Sequence, residues 1–204
     1  MLEIIFYIAI LIFSVVLHEV AHGYAALYFG DNTAKDLGRL TINPIPHLDP
    51  IGSIALPALL AITKSPFMIG WAKPVPYDPR NFNNIKKGTL AVASAGVFVN
   101  FVLAIFFGLI LRFVFPYYPD QDLGFILSTI VIINLALGIF NLIPVPPLDG
   151  SKILFALLPA SFSNIIEFIE QYSLVFFLIF VFFLSDFLGP LVGFLFTLLT
   201  GYGL

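Results

Sequence analysis

The sequence predicts an all-α membrane protein: a polytopic bundle of about four to six transmembrane or half-membrane helices, with short strand-like, Pro-rich connections on the cytoplasmic side. Three observations predict it. Of 204 residues, 60% are hydrophobic and 10% charged, with a mean hydropathy of +1.04, far from the composition of soluble domains. Several apolar stretches approach or exceed the roughly 20 residues that a helix needs to cross a hydrocarbon core of about 30 Å. Prolines and charges gather in the segments between those stretches, where breaks and water contact are expected. Residues 1–204 are therefore expected to form a single membrane domain, with core spans at about 4–29, 88–115 and 123–142 and accessory C-terminal helices at about 163–200.

The first span runs from about Ile4 to Phe29 and is stopped by Gly30, Asp31 and Asn32. The opening "MLEIIFY" lacks the basic stretch of a signal peptide, so this span is expected to be retained. A polar connection, Thr33 to Pro50, contains the alternating "LGRLTIN", which suits a short strand. "IGSIALPALLAI" is apolar but too short to span and reads as a half-membrane segment. "GWAKPVPYDPRNF" can only be extended or turn structure, because its prolines lack the donors of a ladder or a helix. Two spans follow, Gly88 to about Phe115 and Leu123 to about Leu142, joined by the turn "PYYPDQD". The irregular "PVPPLDGSKILFALLP" leads into a short helix. After an amphipathic lead-in, a span is expected near Tyr172 to Leu184, and a last apolar stretch, Phe187 to Leu199, is broken by "GP". Seven of the nine basic residues, Lys35, Arg39, Lys64, Lys73, Arg80, Lys86 and Lys87, lie between the first two long spans. By the positive-inside rule that connection is cytoplasmic, in an integral, multi-pass membrane protein.

The chain has no cysteine and three histidines, which excludes disulfides, thiol nucleophiles and cysteine metal sites. Two histidines fall in the last third of the first span, in "LHEVAHG". His18, Glu19 and His22 form H-E-x-x-H, which puts His18 and His22 one helical turn apart on one face with Glu19 beside them. Ionisable groups inside a span cost about 2.5–3.5 kcal/mol each at its centre, so three within five residues call for a compensating ligand. A catalytic zinc needs three protein ligands and an open position. The third is not in the places used by soluble H-E-x-x-H enzymes: "GYAALYFG" follows His22, and no glutamate stands between Glu19 and Glu167. His47, Asp49, Asp149, Glu167, Glu170 and Asp186 remain candidates. Asp149 stands out because it lies in Pro-broken backbone at the cytoplasmic end of a span, tolerated at membrane depth only when it lines a cavity. Its alternative is a helix N-cap for a helix starting at Ser151. His47 is a candidate supporting or gating residue, or a loop histidine with no special role.

"HEVAH" in a span, together with "NLIPVPPLDG" late in the chain, resembles the site-2 proteases, intramembrane zinc metalloproteases that cut membrane-spanning segments of other proteins. The resemblance implies zinc bound by His18, His22 and Asp149, Glu19 as catalytic base, and Asn141 as a substrate contact. "ASAGVFVNF" resembles the family's small-residue motif in the middle core span, with Val97 where many members have proline, and implies Asn100 as a second substrate contact. "GRLTINPIPHLDPIG" and "GWAKPVPYDPRNF" resemble a compact prokaryotic-type subgroup, which implies a member of a prokaryotic cell membrane that is expected to lack a PDZ domain. The expected partners are transmembrane protein substrates and the lipid bilayer, with no nucleic acid. Two other readings are a metal-ion transporter, since intramembrane His and Asp also mark ion pathways, and a catalytically inactive zinc-binding scaffold. Clustering of the ligands at one place and an intact Glu19 favour the protease.

Overall fold

A computed structural model describes residues 2–63 and 70–203, excluding the side chains of residues 2, 54, 57, 61, 160 and 182–186. Lys64, counted above among the basic residues, and the side chain of Asp186 lie outside that description. Among the described residues three helices are long and apolar enough to cross a membrane, α1 (Leu2–Tyr28), α4 (Ile85–Phe113) and α5 (Gln121–Leu142), and a bent pair, Ser163–Gln171 with Ser173–Val181, would make a fourth if it counts as one span. Central α4 packs against both α1 and α5. Its small residues make this possible, since Gly88, Ala93, Gly96, Ala104 and Gly108 are all buried along it. The opposite surface of α4 exposes Phe98, Ile105, Phe106 and Leu109, as a lipid-facing surface requires.

Between α1 and α4 lie a four-residue helix α2 (Thr33–Asp36), a π-helical turn Pro50–Ala55 and the short α3 (Leu56–Ile62). The turn and α3 together are too short to span. The expected strand at "LGRLTIN" is not formed, and the described residues contain no β-strand. The physical reason lies in its neighbour. The extended segment 70–78 has prolines at 74 and 76, so it cannot donate a regular ladder. Arg39 joins the two segments instead, donating from Nη2 to the carbonyls of Lys73 and Pro74.

Helix α4 begins at Asn84, whose side chain accepts from the Lys87 amide, and α5 begins at Asp120, which caps Leu123 likewise. Helix α5 ends where Ile143, extended before Pro144, leaves the helical region. The chain then turns into α6 (Asp149–Leu157), which packs on α4 and α5. After α7 (Ser163–Gln171) the backbone bends by 69° into α8 (Ser173–Thr200). The break expected at Gly189–Pro190 is absent, because α8 runs continuously through Pro190. Proline removes one backbone donor, whereas ending a helix in hydrocarbon would strand several. Val192 and Phe196 of α8 close the core with Ala104, Leu111, Leu127, Val131 and Leu135, and Gly201, at φ +81, ends the helix.

Candidate metal centre

His18 and His22 sit one turn apart on α1, both buried, and face the groove between α4 and the start of α6. Asp149 occupies the first position of α6. Nε2 of His18 and Nε2 of His22 each lie 3.1 Å from Oδ2 of Asp149 and 3.0 Å from one another. Among the described residues these three form the one cluster of side chains able to hold a metal ion. Asp149 lies 131 residues beyond His18 in the chain.

Close backbone approach builds the cluster. A Cβ on Gly96 would stand 2.5 Å from Cε1 of His18, so α4 can pass the imidazole only with glycine there. A Cβ on Gly150 would stand 2.1 Å from the carbonyl oxygen of Leu142. Glycine therefore lets the first turn of α6 fold back against the end of α5, which carries Asp149 to the histidines.

The far ring nitrogens are also engaged. Nδ1 of His22 donates to the Val92 carbonyl at 2.7 Å, and Nδ1 of His18 donates to Oδ1 of Asn100 at 2.6 Å. A neutral imidazole protonated at Nδ1 carries its lone pair on Nε2. Two lone pairs and a carboxylate thus converge within about 3 Å, an arrangement that repels itself unless a cation lies among them. The donor set of two imidazoles and one carboxylate fits zinc, and support of each ring by a carbonyl oxygen at its other nitrogen is the usual arrangement around such a metal.

Glu19 is half-buried beside the cluster, and its Oε2 accepts the amide of Val75 at 2.8 Å. Val75 belongs to the Pro-rich segment 70–78, which lies across the site as a strap. The strap is fastened by the Lys73 amide to the His47 carbonyl, by Arg39, and by the Asp78 amide to Oδ2 of Asp31. Lys152, one turn along α6, places Nζ 3.7 Å from Oδ1 of Asp149 and over the Tyr77 ring.

The other candidates lie elsewhere. Asp49 is an N-cap, accepting from the amides of Ile51 and Gly52. Asp149 makes no capping bond; the residue preceding α6 is Leu148. His47 is fully buried, and its Nε2 donates to the Thr41 carbonyl, away from the cluster. Glu167 and Glu170 are exposed on α7. Asn141 is half-buried in the last turn of α5, where its Nδ2 donates to the Leu137 carbonyl. Asn100 has no exposed surface, and both ends of its amide are engaged, one by His18 and one by Asn134. Sequence reasoning missed Asn134, Ser14, Gly96, Val75 and Lys152. Asn134 carried a signal, an uncharged polar side chain inside an apolar span, and Gly96 lies in the small-residue motif "ASAGVFVNF".

Comparison with known proteins gives a consistent picture. The model of the family described as Peptidase family M50 matches residues 117–184, which include the Asp149 segment. The chain is 39% identical over 176 residues to the Bacillus subtilis protein named "Putative zinc metalloprotease YwhC", covering 83% of this chain and 76% of that one. It is 33% identical over 150 residues to Zinc metalloprotease MJ0392 of Methanocaldococcus jannaschii, covering 73% of this chain and 33% of the relative. It is 31% identical over 143 residues to the Mycolicibacterium smegmatis protein named "Putative zinc metalloprotease Rip2", covering 67% of this chain and 51% of that one. No solved structure matches the chain significantly.

Proposed function

Because this chain belongs to peptidase family M50, the site-2 proteases, and is a zinc metalloprotease of a membrane, we propose that it hydrolyses peptide bonds within or beside transmembrane segments of other proteins. In this reading His18, His22 and Asp149 hold the zinc and Glu19 is the general base. The observation that carries it is the convergence of two Nε2 lone pairs and one carboxylate oxygen beside Glu19, at the end of a membrane helix. When bound, zinc supplies Lewis-acid activation of water and electrostatic stabilisation of the negative charge that develops on the scissile carbonyl.

The residues divide the remaining work. The Val75 amide fixes one oxygen of Glu19 and leaves the other to take a proton from the attacking water and return it to the leaving amine. Nδ1–H groups on both histidines, held by Asn100 and Val92, keep the rings turned toward the cluster. Lys152 adds positive charge beside Asp149. Asn141, at the mouth of the α5 to α6 turn, is the proposed substrate contact. The basic connection between α1 and α4 supports a cytoplasmic active site in a prokaryotic cell membrane, reached by water from that side.

Purified wild type and Glu19→Gln, incubated with a substrate bearing one transmembrane helix, test the assignment. The amide cannot accept the proton, so cleavage is expected to fall at least about 100-fold, the usual contribution of a general base, while bound zinc stays at the wild-type level. Cleavage by the variant near the wild-type rate would remove Glu19 from the chemistry.

A further inference from the structure

We infer that Asn134, two side chains away from the cluster, is a positioning residue for metal binding: through Asn100 it decides which nitrogen of His18 carries the proton. The inference rests on the reading of His18 as a zinc ligand. Four buried groups from three helices form one line. Nδ2 of Asn134 on α5 donates to the Ile130 carbonyl and to Oγ of Ser14 on α1, both at 2.9 Å. Nδ2 of Asn100 on α4 donates to Oδ1 of Asn134 at 2.9 Å. Oδ1 of Asn100 accepts from Nδ1 of His18 at 2.6 Å.

The direction of this line is forced from its far end. A backbone carbonyl can only accept, so Asn134 must turn its NH2 to Ile130 and its oxygen to Asn100. Asn100 must then turn its own NH2 to Asn134 and its oxygen to His18. That oxygen can only accept, so the imidazole proton sits on Nδ1 and the Nε2 lone pair faces His22 and Asp149. With the line reversed, Asn134 would set its oxygen against the Ile130 carbonyl at 2.9 Å, and Asn100 would offer a donor to Nδ1. The His18 proton would then move to Nε2 and point into the metal position. Asn100 by itself cannot choose between these states, because its amide presents an acceptor and a donor of the same shape. Asn134 and Asn100 are both 0% exposed and Ser14 is 4% exposed, so water has little access to substitute for a missing partner.

Structural packing alone would make Asn134 matter for stability but not for the metal. Zinc affinity, measured by competition with a chelator on folded protein in detergent, separates the two. Asn134→Leu keeps approximate size and frees the Asn100 amide to turn. Its zinc dissociation constant is expected to rise about 10- to 100-fold, the usual cost of losing the support of a metal-bound histidine. The double variant Asn134→Leu, Asn100→Asp is expected to recover most of that loss, because a carboxylate accepts from Nδ1 in either orientation. A third measurement needs no variant: nitrogen NMR of 15N-histidine-labelled wild type, stripped of zinc at a pH where the ring is neutral, is expected to place the His18 proton on Nδ1. Wild-type affinity in Asn134→Leu, a double variant no tighter than the single one, or a proton on Nε2 would each overturn the inference. If wild type itself bound no zinc, the metal reading would fail, while the NMR result would still decide the tautomer.

Discussion

An alanine at position 96 would bring its Cβ to 2.5–2.7 Å from three atoms of the His18 ring, closer than such atoms pack. One of the two must move, and the ring is the part that can turn. Gly96→Ala is therefore expected to weaken zinc binding by about 10-fold or more, through misdirection of His18 and loss of the Asn100 bond. Its fold should survive in the rest of α4, since alanine favours a helix over glycine by about 1 kcal/mol. Zinc retained after dialysis, measured beside the helical content of the same sample, checks both parts. The contrast with His18 itself shows what the sequence could disclose. H-E-x-x-H was legible because its geometry is local, a single helical turn read from spacing. Asn134 and Gly96 were not, because each acts through a neighbour on another helix, and nothing in the order of residues says that α4 will pass α1 at that height.

Among the elements, the strap 70–78 keeps its expected extended form and adds a role in the site. Its prolines marked it as extended, and it is extended. Its amides at Trp71, Lys73, Val75 and Asp78 are bonded to Gly52, His47, Glu19 and Asp31, and three of its carbonyls are held by Arg39 and Ser53. It is a clamp that orients the base. Asp31 anchors one end of it, completely buried, accepting from Thr33, Asn81 and the Asp78 amide. Burial pushes the Asp31 carboxyl upward, but those hydrogen bonds outweigh it and hold the group below its ordinary value. A pKa lower in the folded than in the unfolded state stabilises the fold above the unfolded value, near 4. That contribution is lost as pH falls from there through the folded value. Asp31→Asn turns a donor toward donors and is expected to cost about 1–3 kcal/mol at neutral pH. The gap between the melting temperatures of wild type and variant should then shrink as pH is lowered below about 4. A gap that stays constant on acidification would mean that the Asp31 charge does not hold the strap.

At the scale of the whole molecule, hydropathy disclosed the three core spans to within a few residues, because lipid imposes a length that a sequence must meet. It misplaced a break in α8 because a lone proline is weaker than the demand that backbone in hydrocarbon stay hydrogen-bonded. Bringing α1 and α6 together across α4 is the step on which the proposed chemistry depends, since it sets Asp149 against His18 and His22 while the third histidine, His47, is held elsewhere by Thr41. X-ray absorption at the zinc edge of the purified, zinc-loaded protein counts imidazole ligands directly. Two imidazoles per zinc, with the remaining ligands oxygen at about 2.0–2.2 Å, is the expected result. Three imidazoles would bring His47 into the site, and one or none would remove the histidine pair from it; either count would contradict the centre described above.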